Sequence, residues 1–401
     1  MRIKSLFVLL GIVGCASVLT NSCISEGVVK QDTELVQAHS QVLRAPEASM
    51  SRIIEGKAEW HIIKQEFPSE VDLKKVMWIE SSHVIFAIST DGRLFRSELG
   101  SNAWSEVSRL QNTSFVDAAF ITESIGVAIG REIGPLSNTG AEYCLLVTHD
   151  GGISWTPSFT TRSHVLMRLA INQGLLIVVG GTWNFGSMPD TTHFVLRSVD
   201  IGNSWEDISS RLNGVAPRAK HEQIADYSTG VKIDINGKFY VLSNEGRVFL
   251  GSSGTSTFQL VAEFLERRPQ TGFYQLRVTN NGSIWASGGA ASIEGCWGSI
   301  AGTSKDSTMA YWLDRHYFSD IFVNSDNSII AVGSAQHPDT FGGDNDKNTG
   351  VVLISENRGE EWSVVYSSDR PSEFTSIVQL SNSDYLVVGT RSEVVILRRK
   401  S

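Results

Sequence analysis

Eight residues, Ser198-Val-Asp200-Ile-Gly202-Asn-Ser-Trp205, constrain this chain more than any other feature, because their spacing returns at intervals along it. Thr148-His-Asp150-Gly-Gly152-Ile-Ser-Trp155 repeats the spacing with Thr for Ser, and Ser355-Glu-Asn357-Arg-Gly359-Glu-Glu-Trp362 repeats it with Asn for Asp. Shorter relatives stand at Ser89-Thr-Asp91-Gly92-Arg-Leu-Phe95, Ser243-Asn-Glu245-Gly246-Arg-Val-Phe249 and Thr279-Asn-Asn281-Gly282-Ser-Ile-Trp285. A signature that recurs in this way specifies one supersecondary unit used many times.

The spacing has a physical reason. An Asp or Asn side chain accepts a hydrogen bond from the backbone just beyond it, and the following Gly takes positive φ, so the pair closes a tight hairpin. The Ser or Thr hydroxyl adds a second local bond. Trp or Phe then opens the next strand as a large apolar wedge against the neighbouring hairpin. On this reading Asp91, Asp150, Trp155, Asp200, Gly202, Trp205, Asn357 and Trp362 form structural clasps rather than catalytic groups.

The motif resembles the Asp-box, or BNR, repeat of β-propellers such as sialidases, sortilin-type receptors and the photosystem II assembly and stability factors. Similarity to the last group extends beyond the box: Trp104-Ser-Glu-Val107 leads to Phe115-Val-Asp-Ala-Ala-Phe120, then Gly126-Val-Ala-Ile-Gly130, then the box at Thr148 to Trp155. The resemblance spans most of residues 58–399. It implies a propeller and, through the assembly factors, a role in maturing or stabilising a membrane complex.

Composition agrees with an all-β fold. The 401 residues hold 36 Gly and 41% hydrophobic residues, as many short strands joined by tight turns require, and no long amphipathic periodicity is present. A net charge of −9, with no long run of one sign, leaves no basic footprint for nucleic acid.

Alternating runs group into four-stranded units at 73–108, 115–159, 165–209, 231–264, 274–313 and 318–366. The last group, 374–398, has three strands. Ala58-Glu-Trp60-His-Ile-Ile63 resembles the fourth strands of other units and has no unit of its own. The expectation is therefore a seven-bladed propeller of antiparallel four-stranded blades, the N-terminal strand completing the last blade and removing exposed edges. Six and eight blades are the competing counts.

Before the propeller, Arg2 and Lys4 precede the apolar run Leu6-Phe-Val-Leu-Leu-Gly-Ile-Val13, which reads as an export signal over residues 1–14. Ile12-Val13-Gly14-Cys15 resembles the bacterial lipobox, which implies a lipidated Cys15 and attachment to the cell envelope; the alternative is an ordinary secretory signal. Residues 15–57, rich in polar residues, read as a flexible tether. Cys144 reads as a core thiol, and its pairing with Cys296 is left open.

In a four-stranded antiparallel blade, the links from strand 2 to 3 and from strand 4 to the next blade leave on one face. Nearly every insertion belongs to these links: 131–142, 181–193, 288–297 and 334–350, then 211–230, 266–272 and 367–373. Insertions gathered on one face usually form a recognition surface. Trp183, Arg218, Trp297, Phe341 and Arg370 are its candidate ligand residues, since aromatic and Arg side chains anchor interfaces and Trp suits sugar stacking.

Other chemistry is poorly supported. The run Asp344-Asn-Asp346-Lys-Asn348-Thr-Gly350 has oxygen donors in alternation, but its Gly comes one place late and the twelfth position is Ser355. No HExxH, CxxC, GxSxG or phosphate-binding loop occurs, so no metal, cofactor or catalytic residue is expected. Sialidase enzymes resemble one another in a Phe/Tyr-Arg-Ile-Pro segment ahead of the first box, and none precedes Asp91. The expected function is a non-enzymatic, envelope-tethered propeller that binds a protein partner, with glycan binding or glycoside hydrolysis on the same face as the alternative.

Overall fold

A computed structural model describes residues 42–44, 48–54, 60–101, 103–134, 141–182, 193–213, 226–252, 257–264, 272–292, 295–304, 307–336, 348–381 and 383–400. The sequence readings at Cys15, Trp183, Arg218, Phe341 and most of the 344–350 run lie outside these residues.

Seven sheets follow one another in chain order as blades at 73–109, 113–161, 164–207, 228–263, 272–314, 316–371 and 374–399. Within each blade the strands pair antiparallel with their sequence neighbours. The seventh is completed by Trp60–Lys64, whose residues pair with Val394–Arg399 from Val395 opposite Lys64 to Arg399 opposite Trp60. Seven blades with closure by the N-terminal strand is the expected architecture.

The second strands are buried on both faces, as in Val84–Ser89, and read as continuous apolar runs. Between neighbouring blades the facing side chains form one core each. Between the second and third blades, for example, Val127, Ile129, Leu145 and Val147 pack with Leu166, Leu169, Leu176 and Val178.

All seven innermost strands carry a β-bulge near their start. The extra residues are Lys74, Val116, Met167, Thr229, Tyr274, Ser319 and Thr375, each skipped in the register with the second strand. The facing glycines explain themselves: a Cβ on Gly180 would sit 1.8 Å from the Val165 carbonyl oxygen, and one on Gly333 would sit 1.8 Å from that of Tyr317. The bulged backbone thus fills the space a side chain would need.

Residues 42–44 and 48–54, read from sequence as tether, contribute three short strands. Leu43–Arg44, Ser49–Met50 and Arg52–Ile54 add in parallel to the outer strands Gln259–Glu263, Ser307–Asp314 and Glu361–Pro371, on three successive blades. Arg44 pairs with Glu263 at 3.3 Å and Arg52 with Glu361 at 2.5 Å, while Ser51 is buried and its hydroxyl donates to the Gly359 carbonyl. Met50, Ile53 and Ile54 remain exposed. These strands are held by borrowed backbone bonds, so they carry no alternating pattern that a sequence reading could find.

Candidate functional site

The repeated motif closes its turns through the bonds its spacing implies. The Ser198 hydroxyl donates to Asp200 Oδ1 at 2.8 Å and accepts from the Gly202 amide at 2.9 Å; the Ser204 amide donates to Asp200 Oδ1 at 2.9 Å. Thr148, Asp150, Gly152 and Ser154 repeat this network, and so do Ser355, Asn357, Gly359 and the Glu361 amide. In the short version the Ser89 hydroxyl donates to Asp91 at 2.6 Å. Gly152, Gly202 and Gly359 take φ of 87°, 82° and 99°. Bonds from Ser204 and Ser198 hold the Asp200 carboxyl down at about 2, and those from Ser154 and Thr148 do the same for Asp150.

The aromatic residue of each motif wedges between blades. Trp155 joins the core between blades 1 and 2, Trp205 that between 2 and 3, and Trp362 that between 5 and 6. Trp362 is fully buried and its indole N–H donates to the Gly359 carbonyl. The hydroxyl, carboxylate and amide groups that define the motif are thus engaged within the turn.

Two of the candidate ligand residues occupy places other than loops. Trp297 belongs to the strand Gly295–Ser304, opposite Ala290 and Asp314, and is 5% exposed. Its strand pairs with Ile284–Ser292, so that most of the expected insertion 288–297 is strand. Its Gly, Ala and Ser residues gave no alternation by which to see the longer strands. Arg370 lies near the end of the strand Glu361–Pro371, and its Nε donates to Glu393 Oε1 at 2.7 Å, joining the sixth blade to the seventh. Cys144 is a free, half-buried thiol, and burial pushes it up to about 11.

The axial channel, framed by the bulged strands, holds a group of residues the sequence reading did not single out. A cavity of about 590 Å³ is lined by Lys74, Lys75, Asp117, Arg168, Lys232, Arg277, Asp320 and Glu373, among others. Asp117 and Asp320 each follow a bulged residue, and each ties three blades' strands in the same way. Asp117 accepts from Lys75 of the preceding blade at 2.5 Å and from the Leu169 amide of the next at 2.9 Å. Asp320 accepts from Arg277 at 2.6 Å and from the Ile377 amide at 3.2 Å. Glu373 accepts from the Ser319 hydroxyl, and burial pushes its carboxyl up. The one available signal was the pair Lys74-Lys75 in a strand otherwise apolar; without the bulge, alternation would send one of them away from the channel.

His193, Ser228 and Asp226 come together as well. Ser228 Oγ lies 2.9 Å from His193 Nδ1, and Asp226 Oδ2 lies 3.7 Å from His193 Nε2, too far for a hydrogen bond. All three are buried, Arg247 Nη1 takes the Asp226 carboxylate at 3.0 Å, and burial, reinforced by Arg247, lowers the imidazole to about 3. A substrate cannot reach this hydroxyl. Among the described residues no group of His, Cys, Asp and Glu is arranged to hold a metal ion.

No protein-family model matches the chain, and no curated protein does. Solved structures do. YCF48 bound to a D1 peptide is similar at 16% identity and a TM-score of 0.54, over 88% of this chain and all of that one. YCF48 from Cyanidioschyzon merolae is similar at 14% identity and a TM-score of 0.55, over 84% of this chain and 98% of that one. The WD40 propeller domain of Doa1 is similar at 14% identity and a TM-score of 0.52, over 85% and 98% of the two chains. At such identities the likeness is one of fold: this chain is a seven-bladed β-propeller of the architecture shared by YCF48 and WD40 domains.

Proposed function

We propose that this protein is a non-enzymatic propeller that binds a protein partner through the face carrying its long links, and that a lipid on Cys15 tethers it to a bacterial cell envelope. The observation that carries the reading is the likeness, over 88% of this chain, to a YCF48 propeller captured with a peptide. The division of labour within the fold supports it. The motif turns hold their own hydrogen bonds, as at Ser198, Asp200 and Gly202, whereas the sequence gathers its insertions in the links between strands.

Two observations favour binding over glycoside hydrolysis. Asp117 and Asp320 are committed to ties between blades, leaving Glu373 as the remaining carboxyl among the described residues of the channel cavity, where hydrolysis needs a pair. Burial also pushes the Tyr317 phenol above its ordinary value, the reverse of what a tyrosine nucleophile requires. Assembly or stabilisation of a membrane complex is the role to which a tethered binding propeller is suited.

The experiment is crosslinking and affinity capture from native envelopes with the intact lipoprotein, repeated with Trp183→Ala/Arg218→Ala. A specific protein lost with the double variant supports the reading. Capture of glycan alone, or hydrolysis of a glycoside substrate by the purified chain, overturns it. Cys15→Ser should move the protein from the membrane to the soluble fraction, and retention at the membrane would rule out the lipid tether.

A further inference from the structure

The cations of the axial channel outnumber what the fold uses. Two of them, Lys75 and Arg277, are neutralised by Asp117 and Asp320 at 2.5 and 2.6 Å. At the corresponding place after the bulge, blades 3 and 4 carry Arg168 and Gly230 instead of Asp. Lys74, Arg168 and Lys232 are thereby left lining the cavity with no carboxylate within ion-pair distance among the described residues. Among the described residues Arg168 donates only to the neighbouring Met167 carbonyl. Like charges gathered in a desolvated channel oppose folding, and nothing in the ring of blades needs them. They are also unexpected in a chain whose net charge is −9.

From this arrangement we infer that the axial channel is a binding site for a small, multiply charged oxyanion, a phosphate-bearing or polycarboxylate metabolite, held by Lys74, Arg168 and Lys232. The volume of about 590 Å³ is that of a small-molecule site. Arg168 offers a planar fork suited to carboxylate or phosphate, and the two lysines offer point charges. Tyr317 lines the same cavity; burial keeps its phenol protonated, so it serves as a neutral donor. Lys232 and Arg277 also line a second cavity, formed by the later residues of the inner strands, so both residues stand where the two cavities adjoin.

The charge of Lys232 is the adjustable part. Burial, with Arg277 and Lys75 facing it, lowers its ammonium to about 8, and Asp320 only partly offsets them; Arg168 and Glu373 line the same cavity. An anion seated beside it favours the protonated form, so binding near pH 8 takes up protons, and affinity falls as pH rises above 8. This inference stands independently of the protein partner on the loop-bearing face.

The test is calorimetric titration of the full chain with inorganic pyrophosphate and, separately, with citrate. Repeating the citrate titration near pH 8, where citrate is fully ionised, in two buffers of different ionisation enthalpy reads proton uptake by the protein; pyrophosphate, which still carries a proton there, is compared by affinity alone. The expected result is saturable binding of one of these probes at one site, with proton uptake where citrate binds, weakened about tenfold or more in Lys232→Met and in Arg168→Gln, and unchanged in Arg96→Gln, which pairs with Glu123 away from the channel cavity. The stronger probe tells phosphate from carboxylate. Absence of saturable binding by both, or binding that survives Lys232→Met and Arg168→Gln, overturns the inference. Misfolding does not confuse the outcome, because both variants remove an uncompensated cation and should melt no lower than the parent without anion.

Discussion

At Asp200 a single carboxylate closes a hairpin by accepting from Ser198, from the Ser204 amide and from the Ser204 hydroxyl. Because those bonds favour the ionised form, folding holds this carboxyl below its unfolded value, and the stability it contributes is present above pH 4 and lost as pH falls toward 2. Asn357 occupies the same place in the last motif and keeps the two bonds that its amide oxygen can accept. Asp200→Asn is therefore expected to fold normally at neutral pH with a flatter acid dependence, and Asp200→Ala to melt lower at every pH; thermal unfolding between pH 2 and 7 checks both. Trp362 is among the residues whose loss should cost most, since it is fully buried between blades 5 and 6. Trp362→Ala should lose about 3–5 kcal/mol in denaturant unfolding. Trp205, half-buried in the equivalent place, should lose measurably less. Lys232 carries the opposite sign: its value is lowered in the folded protein, so its contribution to stability improves as pH climbs from about 8 toward the ordinary lysine value, and Lys232→Met should abolish that rise.

Among the elements, the N-terminal strands and the bulges carry the consequences that no single side chain shows. Leu43–Arg44, Ser49–Met50 and Arg52–Ile54 cover the outer edges of blades 4, 5 and 6, edges that would otherwise offer unpaired backbone groups to another chain. Removing residues 42–54 while keeping Trp60–Lys64 should preserve the ring but lower its melting temperature and promote association; calorimetry and light scattering report the two effects. Amide exchange should quicken along Gln259–Glu263, where Leu43–Arg44 now covers the edge, and not along Ser105–Arg109 of blade 1. The bulges act on the opposite margin of each blade. By adding one residue to every inner strand they turn two consecutive side chains toward the axis, which is how Lys74 and Lys75 both come to line one cavity.

At the scale of the molecule, seven blades close through Trp60–Lys64, and that closure was legible because Trp60 repeats the pattern of fourth strands such as the one that begins after Trp104. Turn chemistry is local: a hydroxyl, a carboxylate and a glycine within five residues determine a hairpin whatever surrounds them, so the repeat unit, the blade count and the wedge role of Trp155, Trp205 and Trp362 could be read from the chain alone. The candidate site was less legible. Trp297 looked like a loop anchor because its hairpin is built from Gly, Ala and Ser, residues that pair through backbone without marking a strand by apolar alternation. The channel cations escaped notice because Lys74, Arg168 and Lys232 lie far apart in sequence, and only the radial arrangement of blades, with a bulge in each, turns them onto a common axis. Local hydrogen bonding, which depends on neighbours along the chain, therefore set the architecture, while the distribution of charge around the axis and the covering of the outer edges depend on contacts between distant segments and were decided only by the tertiary structure.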